Sequence, residues 1–408
     1  MTDETRVAVT LSGPVEFLGL GPAGSASAAG ERGASGDWLI EPAVNGGIVA
    51  RSSFDLSQAS VPSGRSLLIR PVDPGHIVHV DGRPYAGDLV FQRRGDVLTV
   101  INAVDLETYL RGVVPWEIGR PGEAGLAALE AQSVAARTYT VSHLEERRSE
   151  GFDVWADTRD QVYKGLEGTD AWCDLAIANT AGLVLRYGGS EIEAYYSSTC
   201  GGATSNIQEV WPRPAQPYLH HHDDRWRGGA IFCAGSSQFT WQEAWTLAEI
   251  EAALAANLPS YLDWTEASPL RSRWVDRPFR PAGTGVDPRR PGRLRDLRVR
   301  DRTSSGRVGI LEVVTEAGTY RVRGDRVRWV LQPASGRFAI LRSSWFDLEL
   351  QRTREGAISG VRASGRGFGH GIGMCQTGAL GMARAGADSR AILEHYYPGT
   401  TLEPAWER

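Results

Sequence analysis

The chain has 408 residues, 41% hydrophobic and 23% charged, which supplies one large core or two to three smaller ones and argues against disorder. A formal net charge of -5 with scattered arginines and no Lys/Arg block excludes a nucleic-acid footprint. Four cysteines, Cys173, Cys200, Cys233 and Cys375, are too few for a disulfide framework at this length. The acidic start Met1-Thr2-Asp3-Glu4-Thr5 leads into no signal-peptide core, and no later run is apolar enough to span a membrane.

Gly 48 and Pro 21 with many short apolar runs predict an α+β architecture, mostly antiparallel strands with a few helices. Arg6 to Leu11 alternates as a strand, Gly21 to Gly36 reads as a loop, and Ser66–Arg70 and His76–Val80 continue the sheet. Asp81-Gly82 forms a turn ahead of Asp96–Ile101. Asp105 caps a short helix that Gly112 ends, Val113 to Ile118 follows as a turn, and Ala124 to Arg148 is one central Ala-rich helix beside the site. Leu183 to Thr199 alternates again, stopping at a Thr199-Cys200-Gly201-Gly202 break whose glycine pair can adopt positive φ. Trp241 to Leu258 reads as helix, Arg271 to Arg293 as an exposed connection, and Leu294 to Asp347 as strands. A helix includes Gly381–Arg384, and Ser389 caps another that Pro398-Gly399 stops. These elements group into a β-rich part over 1-100, a core over 101-235, an inserted helix and β subdomain over 236-364, and a closing segment over 365-408.

Three segments can carry chemistry. Glu117 stands between Trp116 and Ile118, and large apolar neighbours would strip solvent from its carboxyl and raise its pKa toward the range of a general acid. Gln132, Arg137 and Tyr139 interrupt the small-residue surface of the Ala-rich helix, where polar groups need partners. Gly365 to Gly378 is dense in glycine, brings backbone close to a neighbour and displays His370 and Gln376; it has no Lys-Ser/Thr sequel, so it is not a phosphate loop.

The order of motifs resembles the stage II sporulation protein D family, also called the SpoIID/LytB or amidase enhancer family. The matching residues are Val114-Pro115-Trp116-Glu117, Ala128 to Tyr139, Asp160-Gln161-Val162-Tyr163, Tyr196 to Gly202 and Gly369 to Ala379. The resemblance implies a peptidoglycan lytic transglycosylase that cleaves the MurNAc-GlcNAc bond of denuded glycan strands with Glu117 as acid and base. Its alternative is a non-catalytic glycan-binding enhancer of a cell-wall amidase. Either reading implies a wall or periplasmic location, for which this sequence offers no visible signal peptide. Candidates for holding sugar are Gln132, Arg137, Tyr163, Ser198, Thr199, His370 and Gln376; against these stand a core salt bridge for Arg137, packing for Tyr163, strand-end hydroxyls for Ser198 and Thr199 and a satisfied core histidine for His370.

The chemistry requires no cofactor. The zinc-binding Cys/His cluster of some family members has no counterpart here, because Asp157-Thr158-Arg159-Asp160 holds neither residue. Cys200, Cys233 and Cys375 lie beside matched segments, and with His222 or His370 they would complete a tetrahedral zinc set; a disulfide or buried free thiols are the other two readings. The rest of His220-His221-His222-Asp223-Asp224 reads as surface.

Overall fold

A computed structural model describes residues 4–20, 31–53, 64–226 and 229–406. The expected loop over Gly21–Gly36 falls mostly outside these residues; within them, Glu31–Gly33 is a strand. The chain forms two compact units, Met1–Val184 with Pro404–Arg408, and Leu185–Glu403. Their boundary lies within the stretch expected as a single 101-235 core. The fold is α+β, its sheets almost wholly antiparallel. Among the described residues, no helix is long and apolar enough to cross a membrane.

The first unit carries two five-stranded antiparallel sheets, ordered Ile48–Ser52, Gly36–Pro42, Val7–Leu11, Val78–Val80, Arg83–Tyr85, and Val97–Ala103, Asp88–Arg94, Ser66–Pro71, Val15–Gly19, Glu31–Gly33. Alternation sets the faces: Val7, Val9 and Leu11 are buried while Ala8 and Thr10 are exposed. Asp81 and Gly82 both take positive φ, 47° and 79°, which turns Val78–Val80 tightly into Arg83–Tyr85.

Four helices follow: α1 (Leu106–Arg111), α2 (Val114–Glu117), α3 (Leu126–Ser142) and α4 (Ala171–Asn179). Asp105 caps α1 by accepting the Thr108 N–H at 3.0 Å. The expected turn over Val113 to Ile118 is instead a single helical turn, because Pro115 in its first positions lacks an N–H that would otherwise go unpaired. α3 is shorter than the expected Ala124–Arg148 and is buried on nearly every side; Ala128, Ala131, Ala135 and Ala136 let its neighbours approach. Arg137 has no exposed surface, and Nε and Nη2 donate to the two oxygens of Glu107 on α1 at 2.8 and 2.6 Å, while Nη1 donates to the Leu183 carbonyl at 3.1 Å.

In the second unit the strands Phe279–Pro281, Gly318–Arg323, Val308–Thr315 and Leu294–Arg302 make one antiparallel sheet, and Thr240–Thr246, Ile358–Arg366 and Phe346–Arg352 another. Their inner faces share a core with α6 (Leu247–Glu266), which follows the single turn α5 (Ile207–Val210). The expected helix from Trp241 begins six residues late. Trp241 and Trp245, four apart, suit either period, but Thr246 and Glu249 form a reciprocal capping box that fixes the helix start. Arg271 to Arg293 is not a plain connection, since it holds most of α7 (Pro269–Val275) and a strand; α8 (Val327–Val330) likewise interrupts the expected strands. α9 (Gln376–Arg384) and α10 (Ser389–Tyr396) close the unit, with Asp388 rather than Ser389 as the cap of α10. The parallel pair Tyr196–Ser197 and Met374–Cys375 brings two matched motifs side by side.

Arg137→Ala strands the Glu107 carboxylate and opens a void, and is expected to cost about 3 kcal/mol, read as a lower urea midpoint; a loss below about 1 kcal/mol would refute this role. Gly112→Ala puts a Cβ 2.1 Å from the Gly165 carbonyl oxygen, so a loss of about 1–3 kcal/mol is expected by the same measurement.

Candidate functional site

Glu117 ends α2 and is half-buried. Its Oε1 accepts the backbone N–H of Val162 at 2.7 Å, which ties it to the Gln161-Val162-Tyr163 motif 45 residues later. That segment can lie so close because Gly112 has no side chain: a Cβ there would meet the Tyr163 ring at 2.6 Å. The Lys164 N–H donates to the Gly112 carbonyl at 3.2 Å, and Gln161 Nε2 donates to Thr140 Oγ1 on α3 at 2.8 Å. Burial, and next the Glu117 charge, push the Tyr109 phenol well above its usual range, so it stays a neutral O–H beside the carboxylate. The expected apolar sandwich is altered. Ile118 turns into the core, while Trp116 sends its N–H to the Glu167 carbonyl at 2.8 Å and carries Lys164 Nζ over its ring at 3.6 Å.

Asp160, the acid of the same motif, is committed to structure: Tyr139 Oη and Arg147 Nη2 donate to one oxygen at 2.8 and 3.2 Å, and the Trp155 N–H to the other at 2.7 Å. Tyr163 donates to Asn102 Oδ1 at 2.5 Å and packs on Tyr109. Both tyrosines line a cavity of about 570 Å³ with Tyr85, Phe152 and Trp155, and Glu117 is not among its lining residues. Arg137 and Gln132 have no accessible surface, so neither side chain reaches a ligand in this conformation.

In the second unit, Thr199 is buried and its hydroxyl lies 2.7 Å from Thr377 Oγ1 and 3.0 Å from Ser236 Oγ. Ser198 is half-buried, and Gln376 opens α9 nearly enclosed. His370 packs its ring against Trp211, 4.8 Å between centroids. Loss of solvation pushes the imidazole down to about 4, so it is neutral at pH 7, and Nδ1 accepts the Ile372 N–H at 3.0 Å.

Cys200, Asp224, Cys233 and Cys375 are all buried, with ligand atoms within 4.8 Å of one another, a cluster that could hold a metal ion. Neither His222 nor His370 is among them. The fourth donor is Asp224, two residues after His222, from the run that reads as surface in the sequence. His222 instead places Nδ1 3.0 Å from Thr204 Oγ1. Burial pushes the Asp224 carboxyl up, but hydrogen bonds from His395, Cys200 and Tyr396 outweigh it and hold the group below its usual range. The sequence offers no signal for Asp224 or for its partners His395 and Tyr396, because the three come together only through α10.

Residues 94–187, which include Glu117, match the family described as Stage II sporulation protein (SpoIID), and residues 281–373 match a domain of unknown function, DUF8618. The chain is 30% identical over 358 residues to the amidase enhancer of Bacillus subtilis, covering 83% of this chain but 47% of that protein, about half its length. It is 27% identical over 320 residues to the stage II sporulation protein D of Bacillus subtilis, 75% of this chain and 76% of that one. An uncharacterised protein of Brachyspira hyodysenteriae is 29% identical over 325 residues, 79% and 73% of the two chains. Together the SpoIID match and the likeness to both Bacillus subtilis proteins support membership of the stage II sporulation protein D family.

Proposed function

We propose that this protein is a lytic transglycosylase that cleaves the MurNAc-GlcNAc bond of peptidoglycan strands, with Glu117 as general acid and then base. The observation that supports it is a half-buried carboxylate fixed by the Val162 N–H, while the other acid of its motif, Asp160, has both oxygens engaged. Hydrolytic glycosidases generally need a second carboxylate, as nucleophile or to activate water. A transglycosylase does not. Glu117 gives its proton to the glycosidic oxygen as the C1–O bond breaks; the sugar's own C6 hydroxyl closes on C1 and returns a proton to Glu117, so no water is consumed.

Of the residues expected to hold sugar, Ser198 and His370 keep half-buried side chains with accessible surface. Arg137 acts from behind, pinning α3 to α1 through Glu107. The substrate places the protein in the wall or periplasm. No step routes through a metal.

The second reading, a glycan-binding enhancer of a cell-wall amidase, is favoured by the likeness to an amidase enhancer. The two are separated by incubating denuded glycan strands with wild type and Glu117→Gln and resolving the products by mass spectrometry. Wild type is expected to release 1,6-anhydro ends, and Glu117→Gln to slow this at least about 100-fold with an unchanged melting curve. If wild type yields no anhydro product yet still pulls down glycan, the enhancer reading replaces the enzyme.

A further inference from the structure

We propose that Cys200, Cys233, Cys375 and Asp224 bind one structural zinc ion. The four donors come from three stretches of the second unit: the Thr199-Cys200-Gly201-Gly202 break, the Asp224–Cys233 segment, and the start of α9. Cys200 Sγ and Cys233 Sγ are 3.6 Å apart. A disulfide requires about 2.05 Å, whereas tetrahedral Zn–S bonds of about 2.3 Å set their sulfurs about 3.8 Å apart.

Backbone N–H groups converge on two of the sulfurs, and metal binding would release the Cys200 proton that now points to Asp224 Oδ2. Cys375 Sγ accepts backbone N–H groups from Cys200 at 3.1 Å and Gly378 at 3.3 Å, and Cys200 Sγ accepts that of Gly202 at 3.3 Å. A neutral thiol is a weak acceptor, so several N–H groups aimed at sulfur favour the anion. Cys375 also caps α9, whose N-terminal dipole favours negative charge. Asp224 divides its oxygens: Oδ2 faces Cys200 Sγ at 3.0 Å, while Oδ1 takes Tyr396 Oη at 2.7 Å and His395 Nε2 at 3.2 Å, as a ligating carboxylate with outer hydrogen bonds does. Gly378 makes room, since a Cβ there would lie 2.6 Å from Asp224 Oδ2.

Charge supplies an independent argument. Arg307 is fully buried, donates to the carbonyls of Cys200 at 2.6 Å and Ala203 at 3.2 Å, and makes no ion pair among the described residues. A buried guanidinium without a counter-charge is costly. Three thiolates and a carboxylate around a divalent ion leave a net negative site that would balance it. All four protein ligands close the tetrahedron, so the ion holds structure and leaves no position for substrate.

Full-length protein prepared under reducing conditions, incubated with zinc sulfate and gel-filtered, is expected to retain about one zinc per chain by mass spectrometry. Cobalt in its place should give thiolate-to-metal charge-transfer absorption. Cys233→Ser should lower retention at least about tenfold, and Cys173→Ser should leave it unchanged, because Cys173 belongs to the first unit. A wild-type zinc content near zero, or a Cys200–Cys233 disulfide found by peptide mapping of the metal-treated protein, would overturn the proposal. Both deciding readings use wild type, so a variant that fails to fold does not obscure the answer.

Discussion

A guanidinium that cannot reach water must be satisfied by the protein, and Arg137 is satisfied by segments distant in sequence. Glu107 supplies both carboxylate oxygens from α1, and the Leu183 carbonyl comes from the end of the unit. The carboxylate does a second task, because Glu107 Oε1 also accepts the Gly182 N–H at 3.0 Å. The pair therefore fixes α1 against α3, and α1 leads through Gly112 directly into α2 and Glu117. Displacing the guanidinium would move the frame on which the acid stands. Arg137 would therefore act on the proposed site through what it holds rather than by contact.

Much of this was legible in residue patterns. Asp105 and Gly112 bracket a helix by their chemistry, Asp81-Gly82 marks a hairpin by its tolerance of positive φ, and strict alternation marks Val7–Leu11. The start of α6 was hidden because Trp241 and Trp245 are compatible with both a strand and a helix, and only the capping box decides between them. The cysteines of the cluster could be named from sequence, since each borders a recognisable motif. Asp224 could not. A lone aspartate after three histidines looks solvated until α10 folds over it and supplies Tyr396 and His395.

The environment of Glu117 departs from a simple greasy pocket in a way that matters for its chemistry. An acid–base group must exist in both protonation states during one turnover. Full burial would favour only the neutral acid. A half-buried carboxylate with one backbone N–H donor and a neutral phenol nearby has partners for its charged form as well. Trp116, with cations over its ring and its N–H on the Glu167 carbonyl, holds Lys164 beside the motif rather than sealing the carboxylate from water.

The thiol cluster bears on the glycine-rich bend in the same manner as Arg137 bears on α2. Residues 367–373 lack regular structure and cannot hold a shape by backbone ladders of their own. Their ends are fixed instead: the Phe368 N–H and carbonyl exchange hydrogen bonds with Thr199 at 2.8 and 3.0 Å, and Met374–Cys375 runs parallel to Tyr196–Ser197. Cys200 stands immediately beyond the first of these anchor points, and Cys375 is part of the second. A bond network joining their sulfurs would lock both ends of the bend at once, with His370 between them. Backbone entropy makes such a glycine-dense segment costly to order, and the cluster lies where a restraint would reduce that freedom.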